Sequence, residues 1–200
     1  TTVKATLTHY RAAWFGGDHE WRMGAQVDRG EHRAVAVLPT GARYVYRNGV
    51  LSQRTLQAPA NSGGRFVTAA VFVSDTVRLG GRVTINPGLR FDHSRAISQA
   101  VPEFDAFVRE TGRTIGGRGT VDSWNTVSPL MGVVVKLESD GRTMLRGNAG
   151  RFSQGLLTGE ISAIHPGRTR TTIVTEPAGT SLVRDPSQVP LDPEIRLPYT

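Results

Sequence analysis

Apolar and polar residues alternate along several stretches of the chain, and the alternation is clearest over residues 83–92. Every second residue there is apolar, from Val83 to Phe91, and the residues between them are polar or glycine and end with Arg90 and Asp92. Successive side chains of a β-strand point to opposite faces of a sheet. The pattern therefore predicts a strand with one wholly apolar face and one polar face.

The same period-2 pattern recurs at residues 3–10, 20–28, 128–138 and 145–150 and predicts further strands there. Residues 65–79 are apolar at odd and even positions alike until Ser74 and Asp75. A strand is predicted there too, but the pattern does not say which of its faces is which.

Short and long connections alternate between these strands. Three are predicted to be tight turns, at residues 15–18, 79–82 and 139–142, because they carry Gly-Gly or Asp-Gly and hairpin turns need positive φ. The other connections are long and cover residues 29–65, 94–126 and 154–200. Up-and-down strands with this spacing place all short turns at one end of a sheet and all long loops at the other.

This asymmetry is typical of outer-membrane β-barrels. The sequence predicts an all-β fold of antiparallel up-and-down strands, a partial segment of a large transmembrane β-barrel with long extracellular loops. The apolar faces would meet lipid, and Arg90 and Asp92 would face a polar lumen. Trp14, Phe15 and Trp21 flank one short turn and would belong to an interfacial aromatic girdle. A soluble β-sandwich or a lipocalin-like barrel also alternates and stays open as an alternative.

Composition and charge exclude a few kinds of site. The 200 residues carry a formal net charge of +7, and among the basic residues only Lys4 and Lys136 are lysines. An Arg-rich genome explains this better than an anionic partner does, and no base-stacking motif or basic run predicts nucleic-acid binding. The chain has no cysteine, so it contains no disulfide and no thiolate metal site. No apolar run of about 18 residues predicts a transmembrane helix. Both ends look cut, as if the chain came from a longer protein.

Charged residues on the predicted polar faces are the candidate site. Arg22, Arg90 and Arg146 fall there, and Glu20 and Asp92 are acids on the same faces. One interpretation is an electrostatic ladder along the lumen wall, and the other is contact with an anionic ligand. The sequence predicts no metal site and no cofactor.

Two other features are a neighbouring Asp-His pair and a segment with helical spacing of its apolar residues. Asp92 and His93 at a strand end would suit an enzyme at the rim of a barrel, but adjacent strand residues point to opposite faces, so they predict no catalytic dyad. No HExxH, P-loop or Gly-x-Ser-x-Gly motif occurs. Residues 101–111 place Phe104, Phe107 and Val108 at helical spacing and predict a short helix, which would pack over the barrel mouth or, alternatively, form a lid that contacts the ligand.

Residues 71–94 and 127–155 resemble the barrel of TonB-dependent outer-membrane receptors. The resemblance rests on "VFVSDTVRLGGRVTINPGLRFDHS" and on "VSPLMGVVVKLESDGRTMLRGNAGRFSQG", in this order and spacing, and is good over about residues 64–156. "GEISAIHPGRT" and "LDPEIRLPYT" resemble the subgroup with an N-terminal carboxypeptidase-regulatory-like domain. Two positions depart from the pattern: Val77 stands where the family usually has Trp, and Pro87 inside a strand predicts a bulge or a weakened ladder.

The resemblance implies an importer and not an enzyme. Such receptors bind a scarce ligand on extracellular loops and import it with TonB energy. The whole chain, residues 1–200, would be a piece of the barrel domain, without the plug and the remaining strands. Its implied partners are outer-membrane lipid, the plug domain, the TonB complex and a small ligand of unknown class. Arg22, Arg90, Asp92 and Arg146 become candidates for contact with plug or ligand, and the plug is the preferred one.

Overall fold

The computed structural model describes residues 1–138, 141–153 and 158–185. Six long strands form one antiparallel sheet in the order β1-β2-β5-β6-β9-β10. Their bounds are β1 Thr2–Trp14, β2 Gly17–Ala36, β5 Ala60–Leu79, β6 Val83–Ser98, β9 Gly119–Lys136 and β10 Met144–Gly150. Neighbours in this sheet are neighbours among the long strands of the sequence, so the prediction of an antiparallel up-and-down all-β fold is confirmed.

The remaining strands form two smaller sheets. One has the order β12-β11-β4-β3, with β3 Ala42–Arg47, β4 Val50–Gln57, β11 Thr171–Thr175 and β12 Thr180–Arg184. The other is a hairpin of β7 Val101–Phe104 and β8 Glu110–Ile115. A 3-10 helix at Pro39–Gly41 and an α-helix, α1, at Thr158–Ala163 complete the described part of the chain. The 3-10 helix, β3 and β4 lie between β2 and β5, the β7–β8 hairpin lies between β6 and β9, and α1, β11 and β12 follow β10.

The cross-strand register separates an apolar face from a polar face across the whole main sheet. Met23, Val73 and Leu89 share one face, because Met23 pairs with Val73 and Val73 pairs with Leu89. Gln26 and Asp92 share the other face, because both pair with Ala70. The register also shows which residues of β5 belong to which face, a point that the sequence pattern did not decide. Val71 and Val73 belong to the apolar face, and Phe66 and Phe72 belong to the polar face. Large side chains of the apolar face are about half exposed.

The short turns lie together at one end of the sheet, as predicted for the first two and for the described part of the third. The first turn is tighter than expected: Trp14 pairs with Gly17, so only Phe15 and Gly16 form the loop, at φ 46° and 82°. A two-residue hairpin loop that matches the right-handed twist of its strands requires positive φ at both residues. The second turn is joined to the end of β9, just before the third turn, by a hydrogen bond of 2.9 Å from the Lys136 N–H to the Arg82 carbonyl.

The predicted long loops are shorter than the sequence suggested, since the long strands run into them. Strands β2 and β5 pair as far as Ala36 and Ala60, and β6 and β9 pair as far as Ser98 and Gly119. At 16 to 20 residues, these four strands exceed the 9–11 or so that a tilted strand needs to cross a bilayer. Of the predicted loop at residues 154–200, residues 154–157 and 186–200 lie outside the described residues.

The prediction of a helix at residues 101–111 is wrong, because this segment is a β-hairpin. Strands β7 and β8 pair there, and Arg113 of β8 bridges to Glu103 of β7 at 2.6 Å. Between them, the Asp105 carboxylate accepts the N–H groups of Phe107 at 2.8 Å and Arg109 at 2.9 Å and fixes the turn. The Arg109 N–H is the largest of the effects that lower the pKa of Asp105. Local side-chain capping by an Asp therefore overrides the helical spacing of the aromatic residues.

The helix that does form, α1, packs with its following turn against the far ends of β5 and β6. Ser162 and Ser62 share a hydrogen bond of 2.6 Å, and both are buried. His165 is also buried: its Nδ1 accepts the Gly167 N–H at 2.9 Å, so its Nε2 carries the proton and donates to the Gln99 carbonyl at 2.7 Å. This small core ties the connection after β10 to the long-loop end of the main sheet.

Pro87 interrupts one ladder without a bulge. The register between β5 and β6 is the same on both sides of it, from Ser74↔Gly88 to Val77↔Ile85, but no pairs form in between. On the other side, Pro87 keeps its place opposite Met131. The missing N–H of proline therefore weakens the β5–β6 ladder locally, which is one of the two outcomes that its position predicted.

Candidate functional site

Arg22 and Glu20 form the first charged cluster of the polar face, near the short-turn end. The guanidinium of Arg22 donates to Glu20 Oε1 through Nε at 3.0 Å and Nη2 at 2.6 Å. From β5, Arg78 reaches the other oxygen, Oε2, at 3.2 Å. One carboxylate thus holds two guanidinium groups, and the cluster retains one net positive charge.

Arg90 and Asp92 form the second cluster, which reaches from β6 across β5 to β2. The Arg90 Nε and Nη2 groups hold the Asp92 carboxylate at 2.8–3.0 Å. Across the small side chain of Ala70, Arg90 Nη1 donates to Gln26 Oε1 at 3.3 Å, and Gln26 Nε2 donates to Asp28 at 2.6 Å. Such a chain of charge-assisted hydrogen bonds fixes the orientation of each side chain on the lumen wall.

Arg146, the fourth predicted site residue, stands apart from these clusters. It is exposed on the polar face of β10, opposite Val134, while Arg22 and Glu20 lie on β2, four strands away in the sheet order. Among the described residues it has no ion-pair partner. The structure therefore brings Arg90 and Asp92 together and pairs Arg22 with Glu20, but it does not join Arg146 to either cluster.

A cavity of about 300 Å³ opens beside Arg90 and Asp92 on the polar face. Its remaining walls are hydroxyl groups, two aromatic rings and one leucine, from Thr68, Ser94, Trp124, Thr126, Ser128, Leu130, Phe152 and Ser153. The Thr68 and Ser94 hydroxyls already bond each other at 2.9 Å. Because the guanidinium and the carboxylate neutralise each other, this cavity presents uncharged donors, acceptors and aromatic edges to whatever fills it.

A second and larger cavity lies at the long-loop end. Its volume is about 610 Å³, within the range of small-ligand sites, and α1 with its following turn forms one wall. Small side chains line it on the sheet side, including Ala34, Ala36, Ala60 and Ser62. Sequence patterns do not reveal this cavity, because residues 34–62 form one side of it and residues 162–185, far away in the chain, form the other.

Two phenylalanines of β5 lie flat over glycines of β2 on the polar face. A Cβ built on Gly24 would overlap the Ala5 carbonyl oxygen and come within 2.7 Å of Phe72 Cζ. On its other side, Phe72 contacts the Lys4 ammonium, 5.1 Å from the ring centroid. Gly30 likewise leaves room for Phe66. Gly24 and Gly30 are thus places where an aromatic ring of β5 covers the backbone of β2.

We expect Gly24→Ala to destabilise the barrel by about 1–3 kcal/mol, because the added methyl group forces Phe72 or the β1 backbone to move. Gly88→Ala is the matched control, since a Cβ there meets Ser74 and Leu130 at ordinary distances of 3.5 and 3.6 Å. Thermal unfolding of the intact protein in detergent should show a lower midpoint for Gly24→Ala and an unchanged or slightly higher one for Gly88→Ala. Equal midpoints for the two variants would contradict this packing.

His19 and Asp75 form a buried pair on the apolar face near the short turns, which sequence reasoning missed. His19 Nδ1 lies 2.6 Å from Asp75 Oδ2, and the two side chains are 9% and 8% exposed. His19 Nε2 lies 3.0 Å from the Trp14 carbonyl oxygen, and the imidazole stacks on Trp21. Asp18, which precedes His19 in the sequence, takes no part in this pair and accepts the N–H of Ala13 at 3.0 Å.

Asp92 and His93 lie on opposite faces, as expected for adjacent strand residues. Asp92 bonds Arg90 on the polar face, and His93 Nδ1 lies 2.8 Å from Asn125 Oδ1 on the apolar face. Within the described ranges, no three His, Asp or Glu residues come together in a way that could hold a metal ion. No helix in the described part of the chain is both long and apolar enough to span a bilayer.

One comparison decides the family. The model of the TonB dependent receptor-like β-barrel family matches residues 1–171, most of the chain. The chain belongs to this family. It is a family of outer-membrane receptors and transporters, not of enzymes. Searches among curated proteins and among solved structures returned no match.

Membership confirms the resemblance on which the sequence interpretation rested and extends it from about residue 64 back to residue 1. In a receptor barrel of this kind, the apolar face of the main sheet is the outside and the polar face lines the lumen. That residues 172–200 belong to the same domain stays a prediction. So does the contact of Arg22, Arg90, Asp92 and Arg146 with a plug or a ligand.

Proposed function

We propose that the chain forms part of the barrel of an outer-membrane active-transport receptor, which binds a scarce ligand at its extracellular loops and imports it with TonB energy. The observation that carries this proposal is the division of the main sheet into two faces. The apolar face leaves Val71, Leu89 and Phe91 40–55% exposed, as a lipid-facing wall requires. The polar face carries the bonded charge clusters expected along a filled lumen.

Within that receptor, the lumen clusters are proposed to face the plug domain. Arg90 and Asp92 satisfy each other and line a cavity with hydroxyl and aromatic walls, which suits the surface of a folded domain better than a charged ligand. Arg146, exposed and without an ion-pair partner among the described residues, is the arginine best placed to take an acid from the plug. The ligand itself would bind at the long-loop end, where the 610 Å³ cavity opens.

The proposed topology predicts opposite accessibility of two engineered cysteines. The chain has no cysteine, so single replacements report one site each once any others in the intact receptor are removed. Tyr46→Cys, on an exposed residue of β3 at the long-loop end, should react on intact cells with a membrane-impermeant maleimide. Arg82→Cys, in the second short turn, should react only after the outer membrane is permeabilised.

The same two variants separate the alternatives. Labelling of both sites on intact cells, or of Arg82→Cys alone, would overturn the proposed orientation. A receptor that is released into buffer as a monodisperse species without detergent would overturn the membrane placement itself. For the transport step, deletion of the receptor gene and deletion of the TonB gene should impair growth on the same limiting nutrient, and growth defects on different nutrients would argue against TonB-driven import.

A further inference from the structure

Three arginines lie together on the outer, apolar side of the main sheet, just beyond its apolar residues. Arg29 of β2 and Arg95 of β6 pair with Val67 of β5 from its two sides. Arg65 lies two residues from Val67 along β5 and so faces the same way. We call Arg29, Arg65 and Arg95 the outer arginine cluster.

The outer arginine cluster holds more positive charge than its neighbours neutralise. Glu31 binds both Arg29 Nη2, at 2.5 Å, and Arg65 Nε, at 2.8 Å. Arg95 donates to the Thr120 hydroxyl at 3.3 Å, and no carboxylate of the described residues forms an ion pair with it. Three guanidinium groups therefore share one carboxylate, and an excess of about two positive charges remains.

The carboxylate also orients the cluster. The hydrogen bond from Arg29 is the largest of the effects that lower the pKa of Glu31, so this residue stays ionised at neutral pH. It holds Arg29 and Arg65 side by side with N–H groups left over. Two parallel N–H donors match the oxygen atoms of a phosphate, and a preoriented pair loses little side-chain entropy when it binds one.

The position of the outer arginine cluster relative to the membrane follows from the number of strand residues between it and the short turns. A tilted transmembrane strand crosses the hydrocarbon layer in about 9–11 residues. Counted from the short turns, eleven or so residues reach Val27 in β2, Ala69 in β5 and His93 in β6. These three residues pair with one another in a single row of the apolar face. The outer arginine cluster begins at the next outward-facing row, which places it in the headgroup layer on the long-loop side.

The surroundings of the outer arginine cluster are apolar on the side toward the membrane and polar on the side away from it. A cavity of about 450 Å³ is bounded by Val3 and Val27 toward the membrane and by Arg29 and Glu31 beyond it. Beside the cluster, Ser123 of β9 is exposed on the same face, where it pairs with Arg95. Apolar walls suit an acyl chain, guanidinium groups suit a phosphate, and hydroxyl groups suit a sugar.

We propose that the outer arginine cluster binds a phosphorylated glycolipid of the outer leaflet, with its phosphate on Arg29, Arg65 and Arg95 and its acyl chains along the apolar face below. The proposal rests on the membrane placement proposed above. It assigns the excess charge of the cluster to a lipid partner and not to the transported ligand, because the cluster lies outside the barrel wall.

The test uses the intact receptor in detergent micelles and three probes: lipopolysaccharide, lipopolysaccharide stripped of its phosphate groups, and phosphatidylglycerol. Binding is measured by thermophoresis of the labelled receptor. The unmodified receptor should bind lipopolysaccharide at least about fivefold more tightly than either other probe, since each arginine near an anionic lipid contributes a factor of roughly five. The triple variant Arg29→Gln, Arg65→Gln, Arg95→Gln should lose this preference.

The control carries the same change of charge elsewhere: Arg43→Gln, Arg47→Gln and Arg113→Gln are exposed residues of the smaller sheets and should keep the preference. If the triple variant fails to fold, Arg95→Gln alone leaves the Glu31 pairs intact and should weaken binding about fivefold. Equal affinity for the phosphate-free probe or for phosphatidylglycerol, or an unchanged preference in the variants, overturns the proposal while leaving the transport function standing. A receptor that needs no detergent overturns both.

Discussion

Asp75→Leu is expected to destabilise the intact receptor by about 3–5 kcal/mol, the usual result of removing one partner of a buried ion pair. His19 would keep an imidazole that is 9% exposed between Trp14 and Trp21 without its carboxylate. Thermal unfolding in detergent, followed by the change in gel mobility of the folded barrel, should show a clearly lower midpoint.

The hydrogen bonds of His19 explain why the two residues act as a unit. Its two ring nitrogens face two acceptors, the Asp75 carboxylate and the Trp14 carbonyl. A neutral imidazole has only one N–H. Both ring nitrogens of this buried imidazole are therefore committed to fixed oxygen atoms, and losing Asp75 leaves one of them without a partner.

A double-mutant cycle separates this coupling from general damage. His19→Leu alone should also destabilise, because it leaves a buried carboxylate whose Oδ1 already lacks a partner. His19→Leu with Asp75→Leu should recover most of the loss, since apolar side chains fit this face and replacing a whole buried pair is often neutral or favourable. Single variants that unfold like the unmodified receptor, or a double variant whose loss is the sum of the two, would contradict this account.

The faces of most long strands could be predicted from sequence because one face is apolar and the other polar along each of them. The register of β5 could not, because Phe66 and Phe72 are apolar residues on the polar face. Their rings cover Gly30 and Gly24 of β2, because only a glycine leaves room for an aromatic ring at these two positions. Each strand read alone gives no sign of this pairing.

The side-chain pairs of the candidate site could be predicted only where both partners lie on the same strand. Arg90 and Asp92 are two residues apart on one strand, so their shared face and their ion pair follow from local spacing. His19 and Asp75 are 56 residues apart, and only the register of β2 with β5 brings them together. The β7–β8 hairpin was mistaken for a helix because Phe104, Phe107 and Val108 have helical spacing, while the Asp105 turn that decides the structure is a single residue.

Residues 1–200, expressed without the rest of the receptor, are expected to accumulate in inclusion bodies or to require detergent. The main sheet ends in β1 on one side and β10 on the other, and among the described residues each of them pairs on one edge only. Open strand edges beside an apolar face template aggregation. That face is large, since Val3, Leu7 and Leu145 are each more than 60% exposed, and a soluble monomer rarely carries so extended an apolar patch.

The measurement is fractionation of the expressed fragment by centrifugation, with and without detergent, beside the intact receptor. Detergent should recover the fragment only as an aggregate or an open sheet, because a transmembrane strand is stable only when both of its edges are paired in a closed barrel. The intact receptor, whose barrel can close, should be recovered in detergent as a folded species of defined size. A fragment that elutes from a sizing column in plain buffer as a compact monomer would mean that Val71, Leu89 and Phe91 pack into a closed core. That result would favour the soluble all-β binding module over a lipid-facing wall.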